Sequence, residues 1–292
     1  MTVRLGDAGD PAQSWQLPQT YASRIGSVRW AQLGDSSAAS LVFLHGTPFS
    51  SFIWRDIARA LARDHCVYVW DMPGYGASDK YKDQDLSLDA LVEVFTELLG
   101  RWDLGEPTVI AHDTGGAVAL GAHLRRGARY SRLGLVDAVS LAPWGSPFFQ
   151  LVGEHAALFD NLPARLHQAL LREYVNTASS PGLHPATLES LIAPWTDNAG
   201  QTAFYHQLQQ RTADAGFVET IQDDYQTIDI PVAICWGEDD TWIPPARGRE
   251  LADLIPAASF RIIPRAGHLA QEDNPAELTA ALLTFLSNQS PD

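Results

Sequence analysis

Ala111-His112-Asp113-Thr114-Gly115-Gly116 stands between an apolar stretch at 108–111 and an alanine-, leucine- and valine-rich stretch with helical spacing. The junction reads as a sharp strand–turn–helix elbow. Such a turn forces one residue into a strained backbone conformation and lifts its side chain above the sheet edge, while small residues at Ala111 and Gly115 let strand and helix approach closely. The lifted residue is Asp113. A carboxylate in that place can attack carbon directly, because no partner has to deprotonate it first. An aspartate at a strand end can also simply cap the helix that follows, so the meaning of the elbow depends on what else the chain carries and in what order.

Upstream, Leu41-Val42-Phe43-Leu44 reads as a buried strand that runs into His45-Gly46-Thr47-Pro48, a tight loop suited to presenting a backbone N–H to an oxyanion. Downstream, a strand at 232–236 leads to Gly237-Glu238-Asp239-Asp240-Thr241-Trp242-Ile243-Pro244, and a strand at 260–263 leads to Ala266-Gly267-His268. A nucleophile at an elbow, then an acid, then a histidine is the chain order of one known architecture for acyl and alkyl transfer.

The rest of the chain fits a single α/β domain of 292 residues with an insertion, residues 1–137 and 228–292 forming the core. An antiparallel start, 21–25 against 27–32 across Gly26, gives way to alternating strands and helices up to a strand at 133–136. From 138 to 227 the alternation breaks into proline-bounded helical pieces carrying Trp144, Phe148, Phe149, Phe159, Tyr174, Trp195, Phe204 and Tyr205. A structureless loop that long is improbable, so the interval reads as an inserted helical lid. Right-handed crossovers in a mostly parallel sheet then gather Thr47, Asp113, Asp240 and His268 at the carboxyl edge, where such folds bind ligands.

Charge and composition narrow the function classes. A net charge of −15 argues against nucleic acid and anionic membranes as partners. No apolar run reaches the length of a membrane span. The amino-terminal arm, with Asp7 and Asp10, lacks the apolar core of a secretion signal, which makes a cytoplasmic location the expectation. Cys66 and Cys235 fall in strands and read as buried free thiols. No cluster of histidine, cysteine and carboxylate has ligand spacing, so no metal is expected, and Gly74 and Gly76 lack a phosphate-binding pattern, so no nucleotide cofactor is expected either. His45 and His112 read as loop-stabilising histidines.

These motifs resemble the α/β-hydrolase superfamily over nearly the whole chain, from about residue 24 to 286. Asp113 at the elbow resembles the branch that contains epoxide hydrolases and haloalkane dehalogenases. The stretch from His45 to Arg55 is most similar to the dehalogenases, and Asp71-Met72-Pro73-Gly74-Tyr75-Gly76 is similar in both groups. The resemblance implies a cofactor-independent hydrolase. Asp113 forms an alkyl-enzyme ester, His268 activates the water that cleaves it, and the N–H groups of Thr47 and Thr114 hold the oxyanion.

For the acid that orients His268 the resemblance offers two positions. Asp240, in the turn after the penultimate strand, is favoured; Asp137, in Leu135-Val136-Asp137-Ala138, matches the alternative site of some dehalogenases.

The chain departs from both relatives at the leaving group. Haloalkane dehalogenases usually carry tryptophan after the nucleophile and asparagine after His-Gly, where this chain has Thr114 and Thr47, and fluoroacetate dehalogenases usually place arginine where Thr114 stands. Epoxide hydrolases use lid tyrosines as proton donors. Ala203-Phe204-Tyr205-His206-Gln207 resembles a helix that carries one, and Tyr174 is a possible second, although that family usually has an aromatic residue in the place of Thr47. Trp144 and Trp195 could line the pocket or donate to a halide. The expected substrate is therefore a small apolar electrophile that reacts with water, epoxides ahead of haloalkanes or haloacids, with a ligand-binding or non-hydrolytic role as the other class. The expected assembly is a monomer or homodimer.

Overall fold

The computed structural model describes residues 15–287, so the arm with Asp7 and Asp10 lies outside the described residues. The apolar runs form β3 (Ser40–Leu44), β4 (Cys66–Asp71), β5 (Thr108–His112) and β7 (Val232–Gly237), which are almost wholly buried. Strands covered on both faces need no polar side, which is why these runs are continuous instead of alternating. With β1 (Gln19–Ser23), β2 (Gly26–Leu33), β6 (Arg132–Val136) and β8 (Ala258–Ile263) they make one sheet in the order β1-β2-β4-β3-β5-β6-β7-β8. β2 runs antiparallel to β1 and β4, and every other pair is parallel.

The antiparallel start sits two residues earlier than the alternation suggests. Arg24 and Ile25 are taken up by the turn, where the Ser23 hydroxyl donates to the Gly26 carbonyl at 2.6 Å and accepts from the Ile25 N–H at 3.2 Å.

Helices α1 (Arg55–Leu61), α2 (Leu88–Trp102), α3 (Thr114–Arg126), α10 (Pro245–Leu254) and α12 (Pro275–Ser287) flank the sheet, and the short α11 (Ala270–Asp273) follows the His268 loop. The strand order reverses at β3, which lies between β4 and β5. The loops after β3 and β5 therefore diverge over one crevice, the position at which open α/β sheets take ligands. Parallel register carries the adjoining strand ends to the same edge, with Leu44 opposite Ala111, His112 opposite Val136, and Gly237 opposite Ile263.

Between β6 and β7 the chain forms α4 (Pro147–Glu154), α5 (Ala156–Asp160), α6 (Ala164–Asn176), α7 (Pro185–Ile192), α8 (Asn198–Ala213) and α9 (Ala215–Gln222). Local signals set their starts: Ser146 caps α4 ahead of Pro147, His184 caps α7 ahead of Pro185, and Asp197 accepts from the Gly200 N–H at 2.7 Å at the head of α8. Several hydrogen bonds fasten this insertion to the carboxyl edge, among them two to the loops that carry Thr47 and His268. The Trp195 indole donates to the Pro48 carbonyl at 2.9 Å, and the Leu269 N–H donates to the Ala178 carbonyl at 3.0 Å. Cys66 and Cys235 are buried free thiols. No helix among the described residues is long and apolar enough to cross a membrane.

Candidate active site

Asp113 has φ 49° and ψ −124°, a conformation that a side chain with a Cβ adopts only under constraint. The constraint comes from both sides of the turn. The Asp113 N–H is held by the Val136 carbonyl of β6, and its carbonyl accepts from the N–H groups of Gly116 and Val139. A Cβ on Gly115 would lie 2.5 Å from the His45 carbonyl oxygen, and one on Gly46 would lie 2.3 Å from the Asp113 Cβ. Glycine at both places is what lets the β3 loop, the elbow and α3 converge on the carboxylate.

The two oxygens of that carboxylate have different surroundings. Oδ1 accepts from the Thr47 N–H at 2.7 Å, and the Thr114 N–H at the head of α3 also lies against the group. Oδ2 lies 3.4 Å from His268 Nε2, longer than a formed hydrogen bond. The other ring nitrogen, Nδ1, lies 2.9 Å from Asp240 Oδ2, while Asp240 Oδ1 accepts from the N–H groups of Trp242 and Ile243 at 2.8 and 2.9 Å. Asp113, His268 and Asp240 thus stand in line.

Asp137 is not on the histidine. Its Oδ1 accepts the Gly237 N–H at 2.7 Å and its Oδ2 has no partner. The pairing of Val136 with Cys235 puts the residue after β6 against the end of β7, so the carboxyl is used to close that loop. Burial, and then the nearby Asp240 charge, push its pKa well above the usual carboxylate range. It acts as a buried neutral group, not as the orienting acid.

Burial alone would push the His268 imidazole down, but the Asp240 and Asp113 carboxylates override it and hold its pKa well above 6.5. Burial opposes ionisation of Asp113 as well, and the His268 contact together with the Thr114 N–H brings its pKa below the usual value. Both shifts favour the charged forms in the resting site, a protonated His268 facing an ionised Asp113. Two further histidines serve as framework, as their loop positions suggest. His112 lies 2.9 Å from the His268 carbonyl through Nε2, and burial and then His268 lower its pKa to about 3, so it is a neutral ring that fixes the His268 backbone. His45 accepts the Met72 N–H at 2.9 Å on Nε2 and meets the Gly46 carbonyl through Nδ1.

Of the side chains expected around the substrate, Tyr174 and Trp144 line the cavity above Asp113 together with Thr47, Thr114, Phe149 and Trp242. Tyr205 does not. Its hydroxyl lies 2.9 Å from His167 Nδ1, and since His167 Nε2 donates to the Trp195 carbonyl at 2.8 Å, Nδ1 must accept and the tyrosine proton is committed within the insertion. Trp195 is likewise committed, to Pro48. The Tyr174 hydroxyl makes no hydrogen bond among the described residues, and burial and then the Asp113 charge raise its pKa. The Trp144 Nε1 is buried without a partner.

The hydroxyls of Thr47 and Thr114 are tied to each other at 3.2 Å, and Thr47 to the Tyr75 phenol at 2.7 Å. Sequence reasoning gave no role to Trp242, which stacks on the His268 ring at 5.0 Å and on Tyr174 at 4.5 Å. Its place two residues after the acid was the available signal.

An elbow carboxylate with the Thr47 N–H on one oxygen, the Thr114 N–H against the group and a histidine–aspartate pair beside the other oxygen define a hydrolase-type site on an α/β sheet, without any group of side chains among the described residues that could hold a metal ion. Residues 41–282 match the model of the alpha/beta hydrolase family, and the chain belongs to that family. It is similar to the crystal structure of an alpha/beta hydrolase fold protein from Burkholderia ambifaria, 44% identical with a TM-score of 0.88 over 92% of this chain and 98% of that one. Haloalkane dehalogenase DbeA from Bradyrhizobium elkani shares the fold, with a TM-score of 0.80 at 18% identity over 92% of this chain and 97% of that one. Among curated sequences, the dihydrolipoyllysine-residue acetyltransferase component of the acetoin cleaving system of Pseudomonas putida is 25% identical over 94% of this chain and 71% of its own length.

Proposed function

We propose that the protein hydrolyses epoxides on apolar substrates through an ester formed on Asp113. The observation that carries this reading is the division of labour between the Asp113 oxygens. Oδ1 already occupies the Thr47 hole at 2.7 Å, where an ester carbonyl would lie, and Oδ2 is the one turned toward His268. In the first step Oδ2 attacks a ring carbon, the C–O bond breaks, and the departing alkoxide takes the proton of Tyr174. The ester leaves Asp113 without its charge, so one of the two anions that hold the His268 proton is gone. That proton restores Tyr174, and the neutral imidazole is then a base. In the second step His268 takes a proton from water while the hydroxide adds to the ester carbonyl. The oxyanion sits on the Thr47 and Thr114 N–H groups, each such donor contributing roughly 3 kcal/mol in comparable sites. Collapse expels the product alkoxide, which takes the hydroxyl proton from Asp113.

A single turnover in water labelled with ¹⁸O tests the ester directly. Attack on the carbonyl carbon puts the solvent oxygen into the Asp113 carboxylate and transfers an enzyme oxygen to the product. Label found in the first product and none in the Asp113 peptide overturns the ester reading.

A second reading, carbon–halogen cleavage, is favoured by Trp144, which lines the same cavity and whose indole N–H is buried without a partner. A halide needs hydrogen-bond donors and no proton. With the Thr47 and Thr114 hydroxyls tied, the free Tyr174 hydroxyl is the donor beside Asp113, and it is the proton source an epoxide needs, which is why the epoxide comes first. The two separate by mutation. Tyr174→Phe is expected to slow formation of the ester from an epoxide by about 10²-fold or more, the usual range for losing a general acid, with Trp144→Phe nearly silent. Halide release that Trp144→Phe lowers and Tyr174→Phe spares reverses the order of the two readings.

A further inference from the structure

The cavity above Asp113 is narrow, ≈ 30 Å³, about the share of one water molecule in the liquid. It has room for a reacting group and little more. Ser146, Tyr174 and Trp242, which form its wall, also line a second space, a groove of ≈ 420 Å³ on the outer side of the insertion. The groove adjoins the cavity across these three side chains.

The groove runs between α4 and α6. Phe148 on α4 and Tyr174 on α6 approach to 5.0 Å between ring centroids, Leu170 lies one turn before Tyr174, and Trp242 reaches the groove from the loop after β7 with its indole donating to Thr177. The apolar strip continues outward on both helices. Leu151, three residues after Phe148, is 48% exposed, and Leu166, four before Leu170, is 58% exposed. Large apolar side chains left in water on two neighbouring helices, leading into a reaction cavity, mark a surface that something apolar covers. Its charge is one-sided, since Glu173 is the single ionisable carboxylate in the lining and no lysine or arginine joins it.

We propose that this groove binds a linear, uncharged aliphatic chain of the substrate, whose reactive end enters the Asp113 cavity past the stacked Tyr174–Trp242 pair. The occupant is a chain because the space is a groove between two helices that narrows to the cavity. It is uncharged because Glu173 repels a carboxylate tail and nothing in the lining would pair with one.

The inference rests on the reaction proposed above, and the experiment keeps the two apart. For terminal epoxides from four to ten carbons, kcat/KM is expected to rise by up to about fourfold per methylene, the ratio corresponding to ~0.8 kcal/mol for each buried CH₂, and to level off once the chain passes the groove. A terminal carboxylate on an eight-carbon epoxide is expected to remove most of that gain. Leu170→Glu, checked for folding by circular dichroism, should lower the ratio of eight-carbon to four-carbon kcat/KM at least tenfold, and Leu170→Met should keep it.

Binding of unreactive straight-chain 1-alkanols, read by calorimetry, supplies the second arm. Affinity that rises with length and is lost in Leu170→Glu, with no epoxide turned over, keeps the groove and overturns the reaction. Epoxide turnover indifferent to chain length, with alkanol binding equally flat, overturns the groove and keeps the reaction. A dimer in sedimentation that Leu170→Glu dissociates, again with flat chain-length dependence, also overturns it and makes the strip a subunit interface.

Discussion

His268→Gln is expected to stop the protein after a single chemical event, with the substrate left attached to Asp113. The first step needs an ionised Asp113 and a proton for the leaving oxygen; Tyr174 supplies the proton, and although the His268 charge that favours the carboxylate is lost, the Thr47 and Thr114 N–H groups still favour it. The Thr47 N–H that holds Oδ1 and the Thr114 N–H beside the carboxylate are backbone groups and survive the change. The second step needs a base within reach of a water at the ester carbonyl, and His268 Nε2 is the ring atom that faces Asp113. Losing a general base slows its step by about 10²–10⁴-fold, while the first step retains much of its rate, so the ester should accumulate within one turnover. Intact mass then identifies both residue and substrate class. An opened epoxide adds its whole mass, because ring opening expels nothing, whereas a haloalkane adds its alkyl group without the halogen. Digestion should place the increment on the peptide containing Asp113. Full turnover by His268→Gln, or an increment on any other peptide, overturns the two-step scheme.

How far the site can be read from the sequence depends on whether a residue is placed by the backbone next to it or by packing at a distance. Asp113, Thr47 and His268 belong to the first kind. Their places follow from a strand end and from turns that demand small residues, and Gly46 and Gly115 are required where the loop after β3 meets the elbow. Asp240 follows because its turn closes on itself, its Oδ1 taking the N–H groups two and three residues on.

Tyr205 belongs to the second kind. α8 buries Gln201, Gln207 and Arg211 together with Ala203, Phe204, Tyr205 and Leu208, so its sequence has no clean apolar face from which to tell which side looks into the site. What settles Tyr205 is His167, 38 residues earlier and on another helix. Tyr174 is the reverse case: on α6, where buried and exposed positions alternate by turns, it looks toward Asp113 because Trp242 supplies a flat ring for it to stack on. Asp137 is not resolved by the sequence either, since only the neighbouring strand, through the Gly237 N–H, decides where its carboxyl turns.

The two acids near His268 give opposite expected results when each is made the isosteric amide. In Asp240→Asn the side-chain oxygen should stay on the Trp242 and Ile243 N–H groups, which hold it at 2.8 and 2.9 Å, and that turns the new NH₂ toward His268 Nδ1. A donor there forces Nδ1 to accept, so the ring proton moves to Nε2 and faces Asp113. The histidine is then in the wrong tautomer to take a proton from water, and turnover should fall by roughly 10⁴-fold, as it does when a triad acid becomes an amide elsewhere. The loss should fall on hydrolysis of the ester, so the adduct accumulates here too.

Asp137→Asn touches no atom of the histidine, keeps an acceptor for the Gly237 N–H, and should leave turnover within a few-fold of normal. Its effect is on stability, and the sign follows from the raised pKa. The folded protein binds a proton on Asp137 that the unfolded chain gives up near 3.8, so the contribution of Asp137 is complete below that pH and is lost as the pH rises toward the folded value. An amide has no proton to lose. The variant should match the parent near pH 4 and exceed it by about 1 kcal/mol or more at pH 7, a margin that widens with pH in urea unfolding. If Asp137→Asn abolishes turnover and Asp240→Asn does not, the acid has been assigned to the wrong residue, even though Asp240 is the one whose oxygen stands 2.9 Å from the ring.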